Sequence, residues 1–98
     1  MMTRLEPVHP GEVLKHDFME PFALSSNALA RAIGVTPTRI HDIVRCRRGI
    51  TAETALRLAR YFRTDAHSWM NLQGRYELAL AERRVENDLA TIRPREIA

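Results

Sequence analysis

The sequence predicts a compact all-α domain of five helices, because helical periodicity and helix start and stop signals recur along most of its length. Sustained alternation of apolar and polar residues, which is typical of strands, is missing from the sequence. The chain has 98 residues, a length that suits one domain with a single modest core. We therefore predict one domain over residues 1–85 and a flexible tail over residues 86–98.

The first two predicted helices are bounded by prolines, a serine and a glycine. The first begins at Pro10, runs to residue 19 and is stopped by Pro21. The second begins after Ser25, a residue favoured at helix N-caps. It ends at Gly34, which tolerates the left-handed conformation common at helix C-termini. Its apolar residues repeat at helical spacing and are predicted to face the core: Leu29, Ala30 and Ile33.

The other three helices also have start signals. Thr36 is the predicted N-cap of the third helix, with Pro37 at its first position, and Thr51 and Asp65 are the predicted N-caps of the fourth and fifth. Each helix has an apolar stripe, formed by Ile40, Ile43 and Val44, by Ala55, Leu58, Ala59 and Phe62, and by Trp69, Leu72, Tyr76 and Leu80. Beyond Val85 the stripe fades, so the chain is predicted to fray there.

Positive charge is concentrated in the middle of the chain. The whole chain has a net charge of +3, whereas residues 31–63 contain eight arginines against Asp42 and Glu53, a net +6 that leaves −3 for the flanks. Glu53, in the first turn of the fourth helix, is assigned to the helix dipole. A basic middle between acidic ends predicts two surfaces with different partners. The alternative is the compositional bias of a GC-rich genome.

Residues 25–46 have the spacing of a helix-turn-helix. Ala30 is small enough to let two helices cross closely, and Gly34 permits the positive φ that the turn needs. Ile40 and Ile43 are placed to seat the second helix of the motif on the first. The opposite face of that second helix is then predicted to project from the protein.

A helix presented in this way fits the major groove of DNA. Base contacts are expected from Thr38, from Arg39 on guanine, and from Asp42, which either accepts from cytosine N4 or pairs with Arg39 or Arg45. Phosphates are expected at Thr36, where the helix begins, and at the basic cluster that follows it. A helical hairpin with a solvated polar face is the alternative. The residues predicted to contact DNA are Ser26, Asn27, Thr36, Thr38, Arg39, His41, Asp42, Arg45, Arg47 and Arg48.

The stretch ALARAIGVTPTRIHDIV resembles the helix-turn-helix of Cro/phage-repressor (XRE-type) regulators, which implies a Cro/lambda-repressor-like fold. HPGEVLKHDFMEP before it and RRGITAETALRLARYFRTDAHSWMNLQGRYELALA after it resemble HigA-type antitoxins, over residues 9–81. This resemblance implies a homodimer that binds its own operator and represses its operon. It also implies binding to a HigB-like toxin, a small basic ribonuclease that cuts ribosome-bound mRNA. For such a dimer we predict an operator that is an inverted repeat.

The chain departs from this family after the recognition helix, where Arg45 and Cys46 stand at positions that often hold Asn and Gly. Because glycine suits a left-handed cap, we predict that Gly49 takes over the turn. The side chains of Arg45, Arg47 and Arg48 are then expected to replace backbone contacts to phosphate. The arginines are also expected to lower the pKa of the Cys46 thiol, although an incidental thiol is favoured over a redox switch.

Residue patterns for other functions are weak or missing. The sequence has no nucleophile–base pair, phosphate-binding loop or paired carboxylates, so we predict that it is not an enzyme and uses no cofactor. One cysteine, no long apolar stretch and no secretory leader predict a cytoplasmic protein. A stand-alone repressor and a protein-binding module without a toxin stay open as alternatives. No metal-ligand spacing is formed by His9, His16, His41 and His67. The core or a dimer interface, rather than a ligand pocket, is predicted for Trp69, Gln73 and Tyr76.

Overall fold

The computed structural model describes residues 6–97, and its regular structure consists entirely of helices. Residues 1–5 and 98, which the domain and tail predictions include, lie outside this range. A first helical segment is followed by α2 (Ser26–Ile33), α3 (Pro37–Val44), α4 (Ala52–Phe62) and α5 (Ala66–Leu89). The predicted all-α fold of five helices is confirmed.

The first helical segment differs from the predicted single α-helix that stops at Pro21. It begins as α1 (Pro10–Val13), widens into a π-helix over Leu14–Met19 and tightens into a 3₁₀ turn over Glu20–Phe22. Pro21 lies inside that turn, at a first-turn position where an N–H has no partner within the helix. The proline is therefore accommodated there, and the left-handed Ala23, with φ of 51°, ends the segment.

The caps of α2 and α4 agree with the predictions. Ser25 Oγ accepts a hydrogen bond from the Ala28 amide at 3.1 Å, and Thr51 Oγ1 accepts one from the Thr54 amide at 3.3 Å. Helix α2 ends at Gly34 in the left-handed conformation, with φ of 74°. The side chains of short polar residues thus fix where these helices start.

Helix α5 begins after Asp65, as predicted, but this carboxylate makes no capping bond to a backbone amide. It accepts instead from Ser68 Oγ at 3.3 Å. The helix continues to Leu89, four residues beyond residue 85, where the domain was predicted to end. The flexibility of the remaining tail stays a prediction. No helix within residues 6–97 is both long and apolar enough to cross a membrane.

The core lies between the helix-turn-helix and the three other helical parts. Ile40 and Ile43 of α3 are fully buried, which fixes how α3 is rotated about its axis. The ring of Phe18 lies 5.1 Å from the rings of both Phe62 and Trp69, and so joins the first segment to α4 and α5. Fully buried side chains also include Leu14, Leu29 and Leu58.

Candidate nucleic-acid interface

Helices α2 and α3 form the predicted helix-turn-helix. Ala30 is 1% exposed where the two helices meet, and its carbonyl accepts from the amides of Gly34 and Val35. This pair of bonds closes α2 and starts the turn. Ile40 is buried against α2, so the other side of α3 is turned outward.

Helix α1 supports α3 from the side opposite the exposed face. Gly11 lies so close to the end of α3 that an added methyl group would overlap the Ile43 carbonyl. The buried His9 fixes this glycine, because its Nδ1 accepts from the Gly11 amide at 2.9 Å. Burial lowers the pKa of the His9 imidazole, and the charge of Glu12 opposes that shift.

The start of α3 is capped as predicted. Thr36 Oγ1 accepts from the Arg39 amide at 3.3 Å, and the Thr36 carbonyl accepts from the same amide at 3.1 Å. Pro37 has no N–H, so Thr38 supplies the remaining amide of this turn. The helix start therefore offers a phosphate few free backbone donors, and side chains must contribute more.

The predicted contact residues on α3 share its outward side. Thr38 is exposed, as is Arg45 directly after the helix, whereas Arg39, His41 and Asp42 are half-buried. At the start of α2, Asn27 is exposed and Ser26 is half-buried. Arg47 and Arg48 are exposed in the segment after α3. The structure thus presents the predicted residues on two neighbouring helices and the segment that follows them.

Arg39 forms an ion pair that the sequence did not predict. Its Nη1 donates to Glu53 Oε1 at 3.0 Å, across fourteen residues of sequence, from α3 to the first turn of α4. Glu53 had been assigned only to the helix dipole. No local pattern identifies such a pair, because it depends on how α3 and α4 cross.

One of the two roles predicted for Asp42 was to pair with Arg39 or Arg45, and the structure does not show this pair. Its Oδ2 lies 3.9 Å from Arg48 Nη2, and its carbonyl accepts from the amides of Arg47 and Arg48 at 2.8 and 3.3 Å. The chain folds back after α3, which brings Arg48 to the carboxylate. The last turn of α3 thus orients the basic segment.

The turn after α3 is made by Cys46 and not, as predicted, by Gly49. Cys46 has φ of 62°, and Gly34 is the only glycine with positive φ in the described chain. The Cys46 amide donates to the Ile43 carbonyl at 3.0 Å. The expected lowering of the thiol pKa is also wrong: although Cys46 is exposed, partial desolvation and then the charge of Glu12 raise its pKa, and the charge of Lys15 only opposes this shift.

Gly49 is needed for space. A methyl group there would come within 2.6 Å of Gln73 Nε2. Gln73 is only 7% exposed, and its Oε1 accepts from the Ile50 amide at 2.7 Å. The prediction that placed Gln73 in the core or a dimer interface missed this bond, which ties the segment after α3 to α5.

Comparisons with known proteins agree with this geometry. The family described as Helix-turn-helix matches residues 17–69. "Virulence-associated protein I" of Dichelobacter nodosus is 55% identical over 82% of this chain and 74% of its own length. "Antitoxin HigA-1" of Vibrio cholerae is 31% identical, over 94% of this chain and 87% of its own.

A solved structure is similar over almost the whole fold. It is described as "Pseudomonas aeruginosa antitoxin HigA with higBA promoter" and is 47% identical, with a TM-score of 0.87. The match covers 90% of this chain and 97% of that one. The chain therefore belongs to the helix-turn-helix family and, within it, to the HigA antitoxins.

Proposed function

We propose that this protein is a DNA-binding antitoxin, which represses its own operon and neutralises a HigB-like toxin that cleaves mRNA. The observation that carries the proposal is the seating of α3: buried Ile40 and Ile43 turn a polar, arginine-containing face outward. The structure of the similar Pseudomonas aeruginosa antitoxin with its promoter supports DNA as the partner of that face. This function includes no catalytic step. We also propose that the protein acts in the cytoplasm.

The residues of this interface make two kinds of contact with DNA, to base edges and to phosphates. Arg39 and Thr38 supply base contacts, since a guanidinium pairs with guanine and a threonine with a thymine methyl or a base edge. Asp42 and His41 lie on the same side of α3 and add base or phosphate contacts. The residues that contact phosphates are Ser26, Asn27, Thr36, Arg45, Arg47 and Arg48.

We further propose that the protein binds as a homodimer to an inverted repeat. Two copies related by a two-fold axis present two α3 helices, which requires half-sites about one helical turn apart. DNase footprinting on the DNA upstream of the gene tests this arrangement. Two protected half-sites with that spacing are expected, and uniform coating of any duplex contradicts the proposal.

The toxin requires its own experiment. The adjacent gene, if it encodes a small basic protein, is induced with and without this chain in the same host. Growth arrest that this chain relieves, together with co-purification of the two proteins, is the expected result. Equal arrest in both cultures contradicts the antitoxin function and favours a stand-alone repressor. A variant with Arg47→Ala and Arg48→Ala separates the two functions, because it should lose operator binding and still relieve arrest.

A further inference from the structure

The Glu53 carboxylate is shared by two arginines from different helices. Oε1 accepts from Arg39 Nη1 at 3.0 Å, and Oε2 lies 3.8 Å from Arg57 Nη2. The Glu53 side chain is 62% exposed and the Arg39 side chain 30% exposed. The carboxylate thus lies at the surface, beside the face of α3 that we assign to DNA.

Arg57 is itself fixed by the helix-turn-helix. Its Nη1 donates to the Ile33 carbonyl at 2.7 Å and lies 3.4 Å from the Gly34 carbonyl. Its Nε is buried and has no hydrogen-bond partner in the described chain, so the guanidinium is held through its two Nη groups. Because a guanidinium is planar, holding Nη1 at the turn also orients Nη2 toward Glu53.

These contacts run from the turn after α2, through Arg57 and Glu53, to Arg39 on α3. A long side chain that is already held loses less rotamer entropy when it binds a ligand. The pair with Glu53 occupies one N–H of Arg39, and a guanidinium has five. Enough donors remain for a two-point contact with guanine O6 and N7.

We propose that Glu53 is a positioning residue for DNA recognition, which directs Arg39 toward a base edge and, as a negative charge beside the basic face, weakens phosphate contacts with any duplex. The inference rests on the proposed function, in which Arg39 contacts a base. The carboxylate is 62% exposed and 3.0 Å from Arg39, so its charge acts on phosphates that approach this part of the surface. Specificity increases through the base contact, which only the cognate operator provides, whereas the repulsion lowers binding to every duplex.

The first test uses Glu53→Gln, which keeps an acceptor oxygen and the side-chain volume but removes the charge. Arg39→Ala identifies the base pair that Arg39 contacts. Substitution of that base pair weakens operator binding by the parent protein but not by Arg39→Ala. For Glu53→Gln, we expect the preference for that base pair to fall about 3- to 10-fold. Binding to unrelated duplex DNA should become tighter and more dependent on salt. Glu77→Gln on α5 is the matched control and should change neither quantity.

A second variant separates the two effects of Glu53. Glu53→Asp keeps the charge but withdraws the carboxylate from Arg39, so base preference should fall while binding to unrelated DNA stays as in the parent. A Glu53→Gln protein that keeps its preference and its weak binding to unrelated DNA overturns the proposal. Thermal unfolding of each variant shows whether it is folded.

A double-mutant cycle shows whether the effect runs through Arg39. In the Arg39→Ala background, Glu53→Gln should no longer change base preference, and a change that persists there overturns the positioning role. If Arg39→Ala itself leaves base preference intact, the proposed function of Arg39 fails. If Arg39→Ala abolishes the preference and Glu53→Gln does not alter it, only the inference about Glu53 fails.

Discussion

Gln73 Oε1 accepts a hydrogen bond from the Ile50 amide at 2.7 Å, and this bond joins the N-terminal half of α5 to the segment between α3 and α4. Both residues are buried, so neither group has water as a substitute partner. Gly49 packs against the same side-chain amide. The position of the basic segment after α3 therefore depends on a residue far away in the sequence.

Replacing Gln73 should destabilise the fold. Gln73→Ala leaves the Ile50 amide buried without an acceptor and opens space beside Gly49, which should lower the free energy of unfolding by roughly 1–3 kcal/mol. Urea unfolding followed by circular dichroism measures this change. The exposed Asn71 on the same helix provides the control, and Asn71→Ala should change the stability by less than about 0.5 kcal/mol. Equal losses for the two variants contradict the assigned role of the bond.

Cys46 should be replaceable with a gain in stability. Its φ of 62° is costly for a residue with a Cβ and not for glycine, so Cys46→Gly should raise the free energy of unfolding by about 1 kcal/mol. Cys46→Ala is the control, because it removes the thiol but keeps the Cβ. An equal gain for both variants would assign the effect to the sulfur instead of the backbone.

Alanine substitutions at two glycines should change the stability of the fold in opposite directions. Gly11→Ala places a methyl group against the Ile43 carbonyl and forces α1 away from α3, which should cost roughly 1–3 kcal/mol of stability. A Cβ at Gly74 in α5 meets nothing within 4 Å, so Gly74→Ala should stabilise the helix by about 1 kcal/mol. Thermal unfolding of both variants provides the comparison. A destabilised Gly74→Ala protein would contradict the open space beside this position.

The helices were predictable because their signals are local. Ser25, Thr36 and Thr51 each cap the helix that the sequence assigned to them, and Ile40 with Ile43 identifies the buried side of α3. The π-helix of the first segment was not predictable, because six residues contain too few apolar positions to distinguish its wider turn from that of an α-helix.

The contacts around Arg39 were not predictable, because they join residues that are far apart in the sequence. Arg39 and Glu53 lie on different helices, and Arg57 reaches carbonyls 24 and 23 residues before it. Such pairs depend on the crossing of helices and leave no periodic signal. The turn after α3 was predicted at Gly49 because glycine adopts the left-handed conformation most easily. The end of α3 instead requires the left-handed residue at Cys46, three residues earlier.

The stability of the fold should fall at mildly acidic pH because of His9. The buried His9 binds a proton less readily than the unfolded chain does, since burial lowers its pKa, and its Nδ1 must stay unprotonated to accept from Gly11. Below about pH 6.5 the unfolded state therefore binds more protons, and the free energy of unfolding decreases as the pH falls toward the folded pKa.

Urea unfolding at several values between about pH 7.5 and 5.5 measures this loss. His9→Asn keeps a side chain suited to a helix N-cap but does not titrate, so it should show a smaller loss over the same range. His67→Asn, at an exposed position of α5, should behave as the parent protein does. If His67→Asn and His9→Asn reduce the pH dependence equally, the buried imidazole is not its source.

The two kinds of arginine on the candidate interface should give different binding defects. Arg39→Ala removes the proposed guanine contact, so it should cost about 1–3 kcal/mol on the cognate operator and relax preference at one base pair. Arg47→Ala removes a proposed phosphate contact, so it should weaken all sequences alike and reduce the salt slope by about one unit. Titrations of the operator, its single-base variants and unrelated DNA at several salt concentrations separate the two. The opposite pattern, with base preference lost in Arg47→Ala and kept in Arg39→Ala, would exchange their roles.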